Sequence, residues 1–330
     1  MYNEELKTKF LDEYAADEGV KKKLVGWFQK IEPEENKKGR DFCTWTRNEI
    51  LSIFDKVVSA RASGQQMILF ELGMYIKWCL KNNIEGARKD LLDIKAGDLP
   101  SEKIRGQMVA NPRHLQRYLD CIFDPEDMET ADCTYRCFLW LAYIGVYDDE
   151  VAIKIKDDDV DLVKQVVVYN ETEYPIYKEA LPVFKKCKEL KRFNQVFPNY
   201  KDRVTVKLRV DGNELLRGAK DPARGMRVGK FRVALLRANK EKDKKFNEEY
   251  LKENKLDIRI SYSRAWLSGV FYRMYEDERA GIPVNFVPIA KYMILTNGYN
   301  GAQIQFNAQV NRNARFLSVD YKRWKQAYTI

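Results

Sequence analysis

A glycine corner near the middle of the chain groups side chains that can hold or transfer protons. Residues 144–150 read IGVYDDE, so Tyr147 follows the corner glycine, Gly145, and precedes three carboxylates. A tyrosine hydroxyl can donate one hydrogen bond but carries no charge at pH 7, and carboxylates repel phosphate unless cations offset them. By itself this pattern also fits a tyrosine that packs at a helix end with a solvated hydroxyl.

A second group of candidate residues lies more than 100 residues further on. Ser261 and Arg264 open a stretch with helical spacing, and Tyr299 and Tyr321 lie 35 and 57 residues after Arg264. An arginine can bind a phosphate through two parallel hydrogen bonds, and an activated tyrosine can act as a nucleophile. Arg264 is equally compatible with an ordinary surface or salt-bridged arginine.

The charge of the chain is unevenly distributed. Residues 1–200 carry 31 Lys and Arg against 35 Asp and Glu, whereas residues 201–330 carry 27 against 14, and the net charge is +9. The surplus is concentrated in 201–240, with 12 cations and 4 anions. Such asymmetry favours a polyanionic partner for the second half, although a solvated basic surface gives the same counts.

Candidate phosphate contacts follow from this surplus, because cationic side chains bind the nucleic-acid backbone without reading its sequence. In the basic stretch they are Lys207, Arg209, Arg217, Lys220, Arg224, Arg227, Lys230 and Arg232. Lys21, Lys22 and Lys23 near the N-terminus are candidates for a second contact surface.

Several classes of function are disfavoured by composition. The six cysteines show no metal-ligand spacing and His114 is the one histidine, so we predict no metal and no cofactor. No apolar run reaches the roughly 18 residues of a membrane span, so no membrane partner is expected. The first residues are charged and unlike a signal peptide, and we therefore expect a reducing, cytoplasmic location.

Helical periodicity dominates the first 100 residues. It predicts a helix over KTKFLDEYAADEGVKKKLVGWFQKI, a polar break at EPEENKKGR and a helix over TWTRNEILSIFDKVV, where Thr46 and Glu49 form a capping-box pattern. GQQMILFELGMYIKWCLKNN predicts a third helix. A linker follows, and another helix begins after Pro112.

The second part mixes helices with short strands. TYRCFLWLAYIGV predicts a helix that ends at Gly145, followed by a short helix over 148–155, an acidic turn, and a hairpin of KQVVVY and YPI around NETE. KEALPVFKKCKELKRF, SRAWLSGVFYRMYEDERAG and SVDYKRWKQAYTI predict helices, whereas 200–245 gives few strong signals. The predicted fold class is mainly α with a small β-sheet (α+β), with one domain over 1–104 and another over 105–330.

This order of elements resembles the tyrosine recombinase (phage integrase) family. There the corner reads Thr-Gly-Leu-Arg-hydrophobic-Ser-Glu and precedes a Trp-x-Asp-Ile-Asp turn, and IGVYDDE and KDDDVD (156–161) are similar to these motifs. The resemblance spans roughly residues 40–300 and rests on the order and spacing of the motifs. It implies a helical, SAM-like core-binding domain followed by a catalytic-type domain, which clamp duplex DNA from opposite sides.

The resemblance also identifies where the catalytic groups of that family differ. Tyr147 stands at the position of the first phosphate-clamping arginine, and the hairpin stretch YNETE (169–173) offers no lysine. Ser261 and Arg264 match the His-x-x-Arg motif with serine in place of histidine, and the second family histidine is absent. Loss of one charged donor from such a site typically costs about 10²–10³ in rate. Catalysis is therefore expected to be lost.

We predict a sequence-specific double-stranded DNA-binding protein without cleavage activity, used as a transcriptional repressor in lysogeny of a phage or in a mobile element. Expected partners are DNA and, beyond it, a second copy of the chain or a small protein antagonist. The expected location is the cytoplasm of a bacterial host, at the nucleoid. Two alternatives remain: a divergent recombinase with Tyr299 or Tyr321 as nucleophile, and an accessory protein that modulates a recombinase.

Overall fold

The chain folds into two compact units. The computed structural model describes residues 1–14, 17–57, 61–99, 102–123, 131–190, 192–196, 203–207, 213–216 and 228–330. The first unit comprises Met1–Ile104, Phe286–Lys291 and Asn300–Ile330, and the second comprises Arg105–Asn285 and Tyr292–Tyr299. The predicted fold class, mainly α with a small β-sheet, is confirmed. The sequence assigned all of 105–330 to one domain, whereas the C-terminal segment belongs to the first compact unit.

Helices alternate with a few short strands along the described ranges. The helices are α1 (Glu4–Tyr14), α2 (Glu18–Lys38), α3 (Arg47–Val57), α4 (Ala62–Lys81), α5 (Glu102–Arg105), α6 (Pro112–Ile122), α7 (Ala131–Ile144), α8 (Asp149–Ala152), α9 (Leu181–Glu189), α10 (Val228–Lys245), α11 (Glu248–Glu253), α12 (Tyr262–Arg279), α13 (Val287–Thr296) and α14 (Gln303–Tyr328). The strands are β1 (Val160–Asp161), β2 (Val166–Tyr169), β3 (Thr172–Pro175), β4 (Arg192–Val196) and β5 (Arg203–Lys207).

An aromatic core holds the helices of the first unit together. Phe10, Phe28 and Tyr75 are fully buried and meet edge to face, with ring centroids 5.1–6.3 Å apart. Edge-to-face pairs add to the stabilisation that burial of such large rings provides. The apolar periodicity of α1, α2 and α4 is therefore explained by one shared core.

The sequence predicts one helix over residues 7–31, whereas the structure has two helices there, α1 and α2, and α2 ends later than predicted because of a buried ion pair. The sequence indicated a polar break at 32–40, but α2 continues through Pro33 to Lys38 and ends where Gly39 adopts a left-handed conformation. Glu35 is buried, accepts hydrogen bonds from Lys7 at 2.5 Å and from the Phe42 amide at 2.8 Å, and has its pKa raised chiefly by desolvation. The polar residue thus points into the unit because Lys7 neutralises it there.

The last helix packs on α4 within the first unit. The carboxylate of Asp320 accepts a hydrogen bond from the Ala62 amide at 2.7 Å, and Arg323 donates to the Gln65 side chain at 2.5 Å. The Ala62 amide lies in the first turn of α4, where helix geometry leaves backbone N–H groups without partners. The predicted C-terminal helix is confirmed, but it begins at Gln303 rather than near Ser318.

The second unit is built on the close packing of α7 and α12. A Cβ atom at Gly269 would lie 1.8 Å from the carbonyl oxygen of Tyr143, so only glycine allows this approach. Arg273 donates to the same carbonyl at 2.8 Å, and Tyr262 donates to the Val146 carbonyl at 2.7 Å. These contacts fix α12 against the corner that follows α7.

The small sheets differ from the sequence prediction in several places: β1 lies at the end of the predicted acidic turn, and β4 begins within a predicted helix. β1, β2 and β3 form an antiparallel sheet, and β2 pairs with β3 around Asn170 and Glu171, as the NETE turn predicted. The predicted helix over KEALPVFKKCKELKRF ends earlier, because α9 stops at Glu189 and Arg192–Val196 pairs with Arg203–Lys207. Pairing with a neighbouring strand overrides the helical preference of the segment, and the helical pattern alone cannot reveal that pairing.

Candidate nucleic-acid interface

The corner after α7 requires a glycine at its turn. Gly145 has φ +132°, and a Cβ atom there would lie 3.0 Å from the Tyr174 ring. The indole nitrogen of Trp266, on α12, donates to the Gly145 carbonyl at 3.0 Å. The left-handed conformation and the close ring both favour glycine. The corner is therefore a rigid element that determines where the next side chain points.

Tyr147 belongs to an aromatic cluster. Its ring meets Trp266 and Tyr292 edge to face, with centroids 4.7 and 5.8 Å away, and its hydroxyl accepts a hydrogen bond from Asn297 at 3.2 Å. Neighbouring Tyr174 has its pKa raised to about 12, chiefly by desolvation. The cluster supplies hydroxyl groups and ring faces at the position that the family resemblance assigns to an arginine.

Sequence reasoning did not identify Tyr292. It lies 28 residues after Arg264 and is partly exposed, and no motif spacing points to it. Only the packing of α13 brings its ring to Tyr147.

Ser261 and Arg264 lie at the start of α12. Ser261 is the N-cap residue, is exposed, and has its hydroxyl 3.2 Å from that of Ser263. Arg264 is partly buried in the first helical turn, with its amide bonded to the Ser261 carbonyl at 3.0 Å. Ser261 and Arg264 therefore both lie at the start of α12.

The two candidate nucleophiles occupy different environments. Tyr299 belongs to the second unit and is partly exposed. Tyr321 belongs to the first unit, is 3% exposed, and packs between Phe286 and Trp324 with ring centroids 5.5 and 5.9 Å away. Burial of its ring keeps Tyr321 away from any substrate, so Tyr299 is the better candidate of the two.

The hairpin lysine and the histidines of the resembling family have no counterpart at the matching positions among the residues that the structure describes. The hairpin tip consists of Asn170 and Glu171. His114 is buried elsewhere in the second unit, where its Nδ1 accepts from the Ala110 amide at 3.2 Å and its Nε2 lies 2.7 Å from the Lys255 carbonyl. Burial lowers the pKa of His114. The imidazole therefore serves packing.

A cavity of about 670 Å³ opens beside the corner, within the second unit. Its walls come from α7, the corner, α10, the start of α12 and the end of α13. The residues that line it are Phe138, Tyr147, Asp148, Asp149, Arg232, Leu235, Leu236, Asn239, Lys240, Arg259, Ile260, Ser261, Tyr262, Ser263, Thr296 and Asn297. Tyr147, Ser261 and Arg232 are thus brought together, whereas Arg264 and Tyr299 do not line it.

Arg232 is engaged by an acid. Its guanidinium lies 2.8 Å from the Asp149 carboxylate, and this hydrogen bond raises the pKa of Arg232. The sequence predicted Arg232 as a phosphate contact, but an arginine that is already paired contributes less new attraction to a polyanion.

Helix α10 carries a basic stripe on its exposed face. We use this name for the exposed residues Lys230, Val233, Leu236, Arg237, Lys240 and Lys244. Lys244 pairs with Glu241 at 2.7 Å, whereas no salt bridge joins Lys230, Arg237 or Lys240 to an acid within the described part of the chain. Three cations without acidic partners on one helix face can each neutralise a phosphate.

The sequence prediction found only one cation of this stripe, Lys230. The stretch 200–245 gives few strong secondary-structure signals, yet Val233, Leu236, Lys240 and Lys244 follow one another at intervals of three and four residues. That spacing is typical of one helix face, and it could have identified the stripe.

The remaining predicted contacts are placed as follows. Lys22 and Lys23 are exposed on α2, and Lys21 lies 3.7 Å from both Asp12 and Glu18. Lys207 is the last residue of β5. Arg209, Arg217, Lys220, Arg224 and Arg227 lie outside the described residues.

The described ranges lack two features associated with other functions. No group of three or more His, Cys, Asp or Glu residues there has an arrangement that could hold a metal ion. None of the helices in those ranges combines the length and apolar character needed to cross a bilayer.

The first part of the chain matches a known family of domains. Residues 1–81 match the family model described as MrpR, N-terminal core-binding domain, and the match ends at Lys81, the last residue of α4. No curated protein matches the chain. The first 81 residues are therefore similar to a core-binding domain of the phage integrase-like family, which supports descent from a DNA-binding recombinase.

Proposed function

We propose that the protein binds a specific double-stranded DNA site and does not cleave it. In this proposal it acts as a transcriptional repressor of a phage or mobile element, similar to the integrase-like master repressor of SPbeta-type phages. It works at the nucleoid in the cytoplasm of a bacterial host. A second copy of the chain or a small protein antagonist would regulate it.

The basic stripe is the observation that carries this proposal. Lys230, Arg237 and Lys240 are exposed on one face of an 18-residue helix and are not paired with acids in the described residues. The stripe also exposes Val233 and Leu236, which can contact thymine methyl groups. A helix of this kind fits the major groove of B-form DNA, which is about 12 Å wide. The core-binding-like first 81 residues supply the second contact surface.

The corner supports binding without chemistry. A phosphoryl-transfer site needs fixed cationic donors for the transition-state oxygens and an acid for the leaving group. Tyr147 offers an uncharged hydroxyl, and Asp148 and Asp149 place two carboxylates beside it. Arg232, which lines the cavity beside Tyr147, is already paired with Asp149. Carboxylates therefore lie beside the position where a recombinase needs cationic side chains.

Selection from a random duplex library, followed by footprinting, tests the binding part of the proposal. We expect one enriched sequence, with a dissociation constant at physiological salt at least about 10³ times lower than for a scrambled duplex. Absence of enrichment and a flat salt dependence would favour an accessory protein that acts through protein contacts.

A nicked suicide duplex that carries the selected site tests the absence of cleavage. Denaturing electrophoresis should show no covalent protein–DNA band. A band that disappears in Tyr299→Phe and persists in Tyr321→Phe would identify the protein as an active, divergent recombinase. Tyr321→Phe is the matched control because that residue is buried in the first unit.

A further inference from the structure

We propose that the cavity beside Tyr147 binds a small organic cation with an apolar body of about one or two rings. This site shares Leu236 and Lys240 with the basic stripe, but its ligand is a small cation rather than DNA, and its occupancy can be measured without DNA. The cavity volume of about 670 Å³ lies within the range of 300–1,000 Å³ that is usual for small-molecule pockets.

The floor of the cavity is apolar and firmly supported. Phe138, Leu235, Ile260 and Tyr262 line it, and none is more than 6% exposed. The Phe138 ring stacks on Phe231 at 4.0 Å and contacts Tyr262 at 4.5 Å. The floor is thus held by core packing and can receive an apolar ligand without rearrangement. Burial of ligand rings against it provides the driving force.

The polar wall next to this floor carries negative charge. Asp148 caps α8 through a 2.9 Å hydrogen bond from the Glu150 amide to its Oδ1, and it forms no salt bridge in the described residues. The Asp149 carboxylate is mostly buried and pairs with Arg232, whose side chain is 69% exposed. An amine of the ligand can therefore form an ion pair with Asp148. It can also bind Asp149 together with Arg232, whose exposed guanidinium can move toward water.

The cations of the lining do not favour an anionic ligand. Arg232 is neutralised by Asp149, and Arg259 pairs with Asp243. Lys240 has no acidic partner among the described residues, but it is exposed, so solvent screens its charge more than that of half-buried Asp148. An anion on the apolar floor would be repelled by the Asp148 carboxylate, which has no salt-bridge partner in the described ranges. Charge complementarity thus selects a cation, and the aromatic floor selects its apolar body.

Fluorine NMR with two matched probes tests the proposal. The probes are 5-fluorotryptamine, which is cationic at pH 7, and 5-fluoroindole-3-acetate, which is anionic and similar in size. For a cationic probe of this size, a dissociation constant of about 1 mM is expected from typical ligand efficiencies. We expect line broadening for the cation and none for the anion at the same concentration.

Three variants and one control variant locate the site. Asp148→Asn and Asp149→Asn should each weaken binding of the cation about tenfold or more, the usual value of a charge-assisted hydrogen bond. Glu150→Gln is the matched control, because Glu150 is an exposed carboxylate of the same helix that does not line the cavity. Thermal melting verifies that each variant is folded. Ser263→Trp, at an exposed lining position, should block the cavity without removing a charge.

The outcomes are distinct. Loss of binding in Asp148→Asn, Asp149→Asn and Ser263→Trp, with Glu150→Gln unchanged, supports the site. Three results overturn it. They are equal binding of both probes, a cation signal that survives all four substitutions, and no binding of the cation at a probe concentration several times the expected dissociation constant. None of these readouts involves DNA, so failure of the proposed DNA binding would leave this test intact.

Discussion

Removing the unpaired cations of the basic stripe should change how DNA binding depends on salt. The triple variant Lys230→Gln, Arg237→Gln and Lys240→Gln deletes three positive charges from one face of α10. All three side chains are exposed, and their acidic partners are absent from the described residues, so the substitutions break no salt bridge that the structure shows. The free energy of unfolding should therefore change by less than about 0.5 kcal/mol per substitution.

The magnitude follows from counterion release. Each neutralised phosphate contributes about −0.9 to the slope of log K against log salt, so loss of three contacts should reduce the slope by about 2.7. A fourfold rise in salt, from 50 to 200 mM, spans about 0.6 log units. The ratio of parent to variant affinity should therefore fall by about 40-fold over that range. Specific and scrambled duplexes should be affected alike, because phosphate contacts carry no sequence information.

Fluorescence anisotropy titrations at four salt concentrations provide the assay, with the selected duplex and its scrambled version. Lys252→Gln is the control, since Lys252 is an exposed lysine of α11 that pairs with Glu248 at 2.5 Å. It removes one charge away from the stripe and should leave the slope within about 0.3 of the parent. If a folded triple variant keeps the parent slope, α10 does not contact DNA and the proposed interface is wrong.

The second unit offers three further tests. Gly269→Ala should lower the free energy of unfolding by about 3 kcal/mol or more, or prevent folding, because of the 1.8 Å approach, whereas Gly229→Ala, with open space around it, should be neutral or stabilising in chemical denaturation. The folded protein lowers the pKa of His114, so the stabilisation from its neutral form is present above the ordinary pKa of 6.5 and is lost as pH falls, by at most about 1.4 kcal/mol per pH unit. In His114→Gln the free energy of unfolding should therefore depend less on pH between pH 7 and 5, and an unchanged pH dependence would contradict this. Arg264→Ala should weaken DNA binding by about one to two decades at fixed salt if the old phosphate site still contacts DNA, whereas Tyr147→Arg should tighten or preserve binding without creating cleavage; parent-like affinity in folded Arg264→Ala would exclude that site from the interface.

The sequence by itself determined the mainly helical class, the local cap before α3 and the glycine corner. Apolar residues at helical spacing identify helix faces, and Gly145 marks a turn that only a small residue can make at φ +132°. Thr46 and Glu49 form the predicted local cap, with the Glu49 carboxylate 2.8 Å from the Thr46 amide. All of these features depend on neighbours within a few residues, which is why a single sequence can reveal them.

Only the tertiary structure decided which distant residues meet. The continuation of α2 past Pro33 depends on Lys7, 28 residues before Glu35. Tyr292 reaches Tyr147, and Arg232 reaches Asp149, through packing of helices that are far apart in the chain. Such contacts depend on the free energy of burial and charge pairing in the folded unit, and no local pattern encodes them. The cavity beside the corner is a consequence of that packing.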